Sequence, residues 1–474
     1  MADYWITHTG SDGNAGTSQG EAFRSIKKAL AAIGTGDTIK ILADDTYTCG
    51  VQYNLTFSGQ VILDGSDHWV QGFEYPVTGM ENKTYFESSA VMGDGFAYRI
   101  VEVDETGSSS TRKVRLDRQM NTTGGTSGYI YDSHNSKEIV LSTGGNSQAN
   151  TWVKLEGIAD QTDKPVFHLT NNTNKRFLYI NANNIHIYNI KFSAATYQNQ
   201  IDTVVWASAA SQRVTIIENC YFDKTHRDPG TNILGHVIYC TDANTICICI
   251  NNEFTNTATT SIGGATAIEL WQCSGIIYNN YIHDITLSSG QAKGISAVNS
   301  TRMVIVINNT IDTIHGNHNY GCDGIYPTGA NGMYVANNTI YDVRNSGSGS
   351  SYGISSYFGG APGSLLGAIH SNLICGNSGT NIDEGISIYN NTGSLGICDY
   401  NLIHDCTTSY GSNISGYFGD NDLSVDPYLT DIDNDDFTPK NILVCQGGLE
   451  GLNGEYQAIG AVHRRYKPVG ANRV

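Results

Sequence analysis

An all-β solenoid, a parallel β-helix, is the fold this sequence predicts, and three observations predict it. One phrase recurs along residues 177–406: FLYINANNIHIYNIKF, RVTIIENCYF, TICICINNEF, GIIYNNYI, MVIVINNTI, GMYVANNTI, LLGAIHSNLI and LGICDYNLI. Aligned on the last apolar residue (Phe192, Phe222, Phe254, Ile282, Ile311, Ile340, Ile374, Ile403), the steps are 30, 32, 28, 29, 29, 34 and 29 residues. That is the period of a repeat in which one supersecondary unit stacks on the next. The second observation is the unit itself. Runs such as MVIVI and ICICI are β-branched or apolar, too short for a helix, and closed by a polar pair. The third is a register of asparagines. Asn252, Asn280, Asn309, Asn338, Asn372 and Asn401 share one position, and Asn189, Asn219, Asn251, Asn279, Asn308 and Asn337 the position before it. Asparagine tolerates the left-handed backbone of a sharp bend, and identical asparagines stacked at strand spacing bond to one another in a ladder. Each repeat is then one coil, rising about 4.8 Å.

Composition agrees. A chain of 474 residues ordinarily splits into several domains, but a solenoid escapes that limit because each coil touches only its neighbours. The sequence has 53 Gly, 8 Pro and 15% charged residues, suited to many turns and to ladders that proline would break. A net charge of −18 argues against nucleic acid and against an anionic membrane surface as partners. The 11 cysteines form no CxxC pair, and they read mainly as buried thiols packing like small hydrophobes. Cys247 and Cys249, two apart in a strand, face one side. The sequence shows neither a signal peptide nor a membrane-length apolar run. It is expected to be an intracellular or phage product, or a domain of a larger secreted, extracellular or cell-surface polypeptide that carries a catalytic domain.

Taken in order, residues 1–45 read as an N-terminal cap. Residues 4–7 are a strand, 10–20 a polar Gly-rich loop, and 21–33 an amphipathic helix on Phe23, Ile26, Ala29, Leu30 and Ile33, stopped by Gly34. Such a helix covers the open end of a solenoid. Residues 38–42 and 60–63 read as strands of the first coils. Residues 64–175 lose the period and read as an antiparallel β-rich elaboration carrying Trp69, Tyr98, Trp152 and other aromatics. Residues 177–410 are the regular coils and 411–474 the C-terminal closure. Asp431, Asp433, Asp435 and Asp436 resemble the start of a calcium loop. Asp436 and Ile442 replace the glycine and glutamate such a loop needs, so an acidic surface turn is expected.

The opening GSDGNAGTS…AFRSIKKAL…GDTIKI…TYT and the closing run from Asp426-Pro427 through Asp436-Phe437 to Ala458-Ile459-Gly460 resemble the pectate-lyase-like superfamily of bacterial right-handed β-helix proteins. With the repeats, the resemblance covers about three quarters of the chain. It implies a right-handed β-helix. It implies no single activity, because that superfamily holds lyases, hydrolases, epimerases, phage tailspikes and non-catalytic binding modules.

Each coil also has a variable strand: HVIYCT, AIELWQ, GISAVN, GIYPTG, GISSYF and GISIYN. If Val237, Ile268, Ile295, Ile325, Ile354 and Ile386 point inward, the rows Ile238–Glu269–Ser296–Tyr326–Ser355–Ser387 and Cys240–Trp271–Val298–Thr328–Tyr357–Tyr389 point outward. At the turn before them stand His236, Thr266, Lys293, Asp323, Tyr352 and Glu384. Aromatic rings along a β-face suit the C–H faces of sugars, and neighbouring carboxylates and amides suit their hydroxyls. Trp271, Glu269, Tyr326, Tyr357, Tyr389, Asn299 and Asn390 form the candidate carbohydrate site. For β-elimination the candidate base is Lys293 beside Asp323, Asp383 and Glu384, with calcium as the accessory ion those carboxylates would hold. His236 with Lys224, His226 and Arg227 is a second candidate. Asp323 and Glu384, two coils apart, stand at about 10 Å by strand spacing, long even for an inverting hydrolase pair. The paired-Asp, Gly-His-Gly and Arg-Ile-Lys motifs of the superfamily's hydrolases are missing, so no catalytic role is carried over to this chain.

The expected function is a non-catalytic module that binds a plant cell-wall polysaccharide. A xylan is suggested by resemblance to β-helix modules attached to gut-bacterial xylanases. A calcium-assisted polysaccharide lyase and a trimeric phage tailspike or adhesin are the alternatives.

Overall fold

The structure is a computed structural model. It describes residues 1–460 except 44–45, 50–51, 65–66, 73–80, 82–83, 88–97, 107–110, 121–123, 132–138, 146–150, 159–163, 170–175, 195–202, 209–212, 224–234, 256–263, 288, 300–302, 320, 329–331, 358–364, 378–381, 390–393, 412–418, 433–435 and 442–458. Strands dominate the described residues, and the repeats form the parallel β-solenoid expected of them. Two compact units are present: Met1–Phe177 with Asn184–Ala195, and Leu178–Asn183 with Thr196–Val474.

In the second unit each complete coil contributes one strand to each of three parallel sheets, and Cys406–Tyr410 adds one more to the second. The first sheet runs Arg213–Glu218, Thr245–Ile250, Ser274–Tyr278, Val304–Ile307, Met333–Ala336, Leu365–His370 and Ser394–Asp399. The second runs Thr203–Ser208, Gly235–Thr241, Ala265–Trp271, Ala292–Val298, Cys322–Thr328, Ser351–Tyr357, Ile382–Tyr389 and Cys406–Tyr410. The third runs Tyr221–Asp223, Glu253–Thr255, Tyr281–His283, Thr310–Gly316, Thr339–Asn345, Leu373–Cys375 and Leu402–His404. The alignment residues Phe222, Phe254, Ile282, Ile311, Ile340, Ile374 and Ile403 are register partners in the third sheet. All are buried, and the rings of Phe222 and Phe254 stack at 4.8 Å.

Both asparagine rows have the roles their residue type predicts. Asn219, Asn251, Asn279, Asn308 and Asn337 turn the corner between the first and third sheets with φ of 53–60°, a backbone asparagine adopts more readily than β-branched residues. The next asparagine points inward. Its Nδ2 donates to the Oδ1 of its counterpart in the next coil: Asn252 to Asn280 at 3.0 Å, Asn280 to Asn309 at 2.9 Å, Asn309 to Asn338 at 3.0 Å, Asn338 to Asn372 at 3.0 Å and Asn372 to Asn401 at 3.1 Å. The same Oδ1 accepts the backbone N–H of the preceding rung, and the same Nδ2 reaches a carbonyl of the preceding coil. One buried amide thereby satisfies several backbone groups that the corner would leave unpaired. Asp422 ends the ladder by accepting from the Asn401 backbone N–H at 2.6 Å.

A second column explains how the second sheet packs. Gly294, Gly324, Gly353 and Gly385 face Ile311, Ile340, Ile374 and Ile403. A Cβ on Gly324 would lie 2.7 Å from the Gly353 carbonyl oxygen and 2.7 Å from Ile340 Cγ2. The following residue, Ile295, Ile325, Ile354 or Ile386, is also buried. Two consecutive residues thus face inward, as at a β-bulge.

The first unit holds two parallel sheets, Asp3–Ile6, Thr38–Leu42, Val153–Ile158, Ile185–Tyr188 and Thr46–Cys49, Val166–Leu169, Lys191–Ala194. Inside them Tyr47, Phe167 and Phe192 stack at 5.4 and 6.1 Å. It also holds a closed antiparallel barrel of Gln52–Asp64, Asp67–Gln71, Lys113–Leu116, Tyr98–Asp104, Thr84–Glu87 and Gly124–Tyr131. The elaboration is therefore antiparallel as expected, but its limits differ. It takes in residues 60–63, read above as a coil strand, and ends by Tyr131, so that Val153–Ile158 already belongs to a coil. Trp69 and Tyr98 are buried as its small core, with Lys113 and Arg118 over their rings. The N-terminal helix spans only Ile26–Ala32. Phe23 is instead drawn into bridge contact with Ile6, and buried Asp12 accepts the Arg24 and Ser25 N–H groups.

At the C-terminus, Phe437 and Ile459 pack with Tyr281, Tyr341, Leu373 and Leu402 on the outward side of the third sheet. Asp431 and Asp436 pair in a short antiparallel hairpin; Asp433, Asp435 and Ile442 lie outside the described residues. The cysteines whose side chains are described are free thiols, and Cys247 and Cys249 share one side with sulfurs 3.7 Å apart.

Replacing Asn309 with Leu removes an amide that serves both neighbouring rungs. It should cost roughly 3 kcal/mol or more, because buried backbone groups lose their partners, and thermal unfolding should show it. Gly324→Val should cost about 1–3 kcal/mol by overpacking against Ile340 and the Gly353 carbonyl. Unchanged melting in both variants would contradict the columns described here.

Candidate functional site

The outward face of the second sheet carries the predicted residues, and its register tests how they were aligned. His236, Thr266, Lys293, Asp323, Tyr352 and Glu384 are successive partners, as expected, although they lie within the strands rather than before them. The first coil differs by one residue. Ile238, not Val237, is the partner of Ile268, so Tyr239 aligns with Glu269 and Thr241 with Trp271. Val237 occupies the bulge position ahead of Ala267, where the chain faces inward twice, and a period-two reading slips there.

The corrected outward row is Tyr239, Glu269, Ser296, Tyr326, Ser355 and Ser387. Trp271, half-buried, lies two residues further on, in a row with Thr241, Val298 and Thr328. Tyr357 and Tyr389 are register partners in the corresponding place. Asn299 is exposed and turns the end of its strand with φ 52°. Asn390, Lys224, His226 and Arg227 lie outside the described residues.

The row is less open than a sugar-binding face read from sequence. Glu269 and Lys293 are 4% and 7% exposed, Asp323 is 2%, and Ser296, Ser355 and Ser387 are buried. His236 Nδ1 approaches Glu269 Oε2 at 3.2 Å without hydrogen-bond alignment, and its ring stacks on Tyr239 at 4.8 Å. The Lys293 ammonium lies 3.7 Å from the centre of the Tyr326 ring, a cation–π contact that partly replaces lost hydration. Burial pulls the Lys293 ammonium below its usual range, against the opposing pull of Asp323 and Glu269. Burial pushes the Asp323 carboxyl up to about 6, against the stabilising effects of Lys293 and the Ser355 hydroxyl. Ser355 Oγ donates to Asp323 Oδ1, and Gln291 Nε2 reaches Oδ2 at 3.5 Å. Two groups of opposite type are thereby drawn toward neutral pH side by side, the condition for proton transfer or for binding a polar ligand.

Asp383 and Glu384 do not complete this group. Asp383 Oδ2 accepts the Ser351 N–H at 2.7 Å and its hydroxyl at 3.0 Å. Glu384 is two strands from Asp323, with Tyr352 between. The candidate ligand set Asp323, Asp383 and Glu384 is therefore not gathered at one point, and no group of three such ligands occurs among the described residues. Sequence reasoning had not singled out Tyr239, nor Ser296, Ser355 and Gln291. The serines fall in the row of Glu269 and Tyr326, which was the available signal.

No family model matches the chain, and no curated protein matches it. Solved structures similar to it include XylC in complex with xylose, at 11% identity and TM-score 0.33 over 90% of this chain and 87% of that one. A rhamnogalacturonan lyase gives 10% and 0.39 over 97% and 96%. An alginate lyase of the PL6 family gives 12% and 0.29 over 98% and 58%. At such identities and scores these likenesses bear on neither descent nor activity.

The raised Asp323 carboxyl ties stability to pH. The folded state holds a proton that the unfolded chain releases near pH 4, so the associated stability is full below about pH 4 and is lost as pH rises to about 6. The loss is at most about 3 kcal/mol. Asp312, which burial pushes up to about 7, acts in the same direction. Melting temperatures between pH 4 and 7 should therefore fall less steeply for Asp323→Asn than for the unaltered chain. Parallel curves would remove Asp323 from this account.

Proposed function

We propose that the second-sheet face around Lys293 binds a polysaccharide, and that the chain works as a carbohydrate-binding module outside the cell. The observation that carries this reading is a group of buried polar side chains on one face whose hydrogen bonds are not all met among the described residues. The Ser296 hydroxyl has no hydrogen-bond partner among the described residues, and the Lys293 ammonium on the same strand has a ring for its close contact. Buried polar atoms are rarely left so unless water or a ligand supplies the bond. Half-buried Trp271 and Tyr326 flank the set, offering apolar ring faces for a sugar. Tyr357, Tyr389 and Asn299 extend the proposed site. The net charge of −18 favours a neutral or lightly charged β-glycan, a xylan or glucan, over a strongly acidic polymer.

A second reading, a polysaccharide lyase, is favoured by the pairing of a depressed lysine with a raised carboxyl, an arrangement suited to acid–base work.

A panel of polysaccharides scored for both retention and products separates the two. Under the binding reading, retention in affinity electrophoresis occurs without new reducing ends or unsaturated uronate absorbance. Trp271→Ala should weaken that retention by about 2 kcal/mol, roughly 30-fold. Product that disappears with Lys293→Ala establishes the lyase reading instead, and a panel without retention or product defeats both.

A further inference from the structure

The first sheet of the second unit turns an unusual surface outward. Along Thr245–Ile250 the inward residues are Thr245, Cys247 and Cys249, which leaves Ile246, Ile248 and Ile250 outside. The register continues them as columns. Ile216, Ile248, Ile276 and Ile305 form one, and Ile250, Tyr278 and Ile307 a second. Ile276 is 36% exposed, Tyr278 42% and neighbouring Met303 57%. Glu218, in line with Ile250, is the charged residue at the edge of these columns.

The corresponding face in the first unit shows what a solvent-facing parallel sheet looks like elsewhere in this chain. There the outward residues include Asp3, Lys40, Lys154 and Glu156. They form ion pairs at 2.6 Å (Lys40–Asp3) and 3.0 Å (Lys154–Glu156), and the lysines lie over Trp5 and Tyr188. Aliphatic residues repeated in register through four successive coils, where the first unit carries ion pairs, form a contact surface rather than a random exposure.

Area and spacing indicate the occupant. Strands about 4.8 Å apart with a rise of about 3.3 Å per residue give this patch roughly 400–600 Å², the upper range for a monomer. A rim one residue wide brings it near the roughly 800 Å² per partner of a stable interface. Isoleucine columns repeating at the strand spacing interdigitate best with a flat sheet of the same spacing, packed about 10 Å away. A second copy of the chain supplies that lattice. We propose that this aliphatic face is a homodimer interface, two first sheets packing face to face about a two-fold axis.

Light scattering after size exclusion of the full chain tests this. The expected mass is twice 51.2 kDa, and association should strengthen with salt, which screens the net charge of −18 on each copy. Ile276→Lys should return the mass to one chain, with a dissociation constant raised roughly 100-fold or more. If that variant loses its β-sheet circular dichroism, Tyr278→Ser is read in its place, since a side chain this exposed is removed without disturbing the core. A single-chain mass for the unaltered protein at every concentration, an assembly of another order, or a dimer that survives in the folded variant overturns the proposal.

Discussion

The hydrogen bond that passes from one inner asparagine to the next is the constraint on which the second unit rests. Backbone bonds alone do not distinguish one register of a parallel sheet from another; side chains must. Each buried amide adds a bond to the coil ahead, a bond to the coil behind, and a bond to a corner carbonyl. A slip of one residue would leave all of them unmade in a dry interior, where unpaired polar groups are costly. The ladder from Asn252 to Asn401 thus holds coils of 28 to 34 residues in a single register despite their unequal lengths.

The glycine column does complementary work. By admitting the isoleucines of the third sheet, Gly294, Gly324, Gly353 and Gly385 let two successive residues face inward. The residue just before them then faces out beside the row that begins one residue later. Lys293 meets the Tyr326 ring by this offset, and Asp323 meets the Ser355 hydroxyl of the next coil. The charged group at the centre of the proposed site is therefore a product of the bulge as much as of the residues themselves.

Two faces of the same coils consequently have different chemistry. The second sheet buries unpaired polar atoms next to aromatic rings, which suits a hydroxyl-rich ligand. The first sheet exposes aliphatic columns, which suits another apolar sheet. Because the faces belong to different strands of each coil, the two roles place no demand on the same side chains.

Much of this was legible in the order of residues. The period from Phe192 to Ile403, the asparagine rows and the inward isoleucines each depend on local identity repeated at a fixed interval, so a linear reading finds them. What depends on non-local packing was not legible. The shortened helix at Ile26–Ala32 follows from the bridge of Phe23 to Ile6 and from the hold of Asp12 on two backbone N–H groups. The barrel absorbs residues 60–63 because its strands pair antiparallel across a long insertion. The one-residue shift at Ile238 follows from a bulge that alternation cannot reveal. By itself the sequence determined that the chain stacks and which residues recur. Only tertiary structure decided which recurring residues are dry and which partners they meet, because burial and pKa arise from what lies across the sheet, in coils distant along the chain.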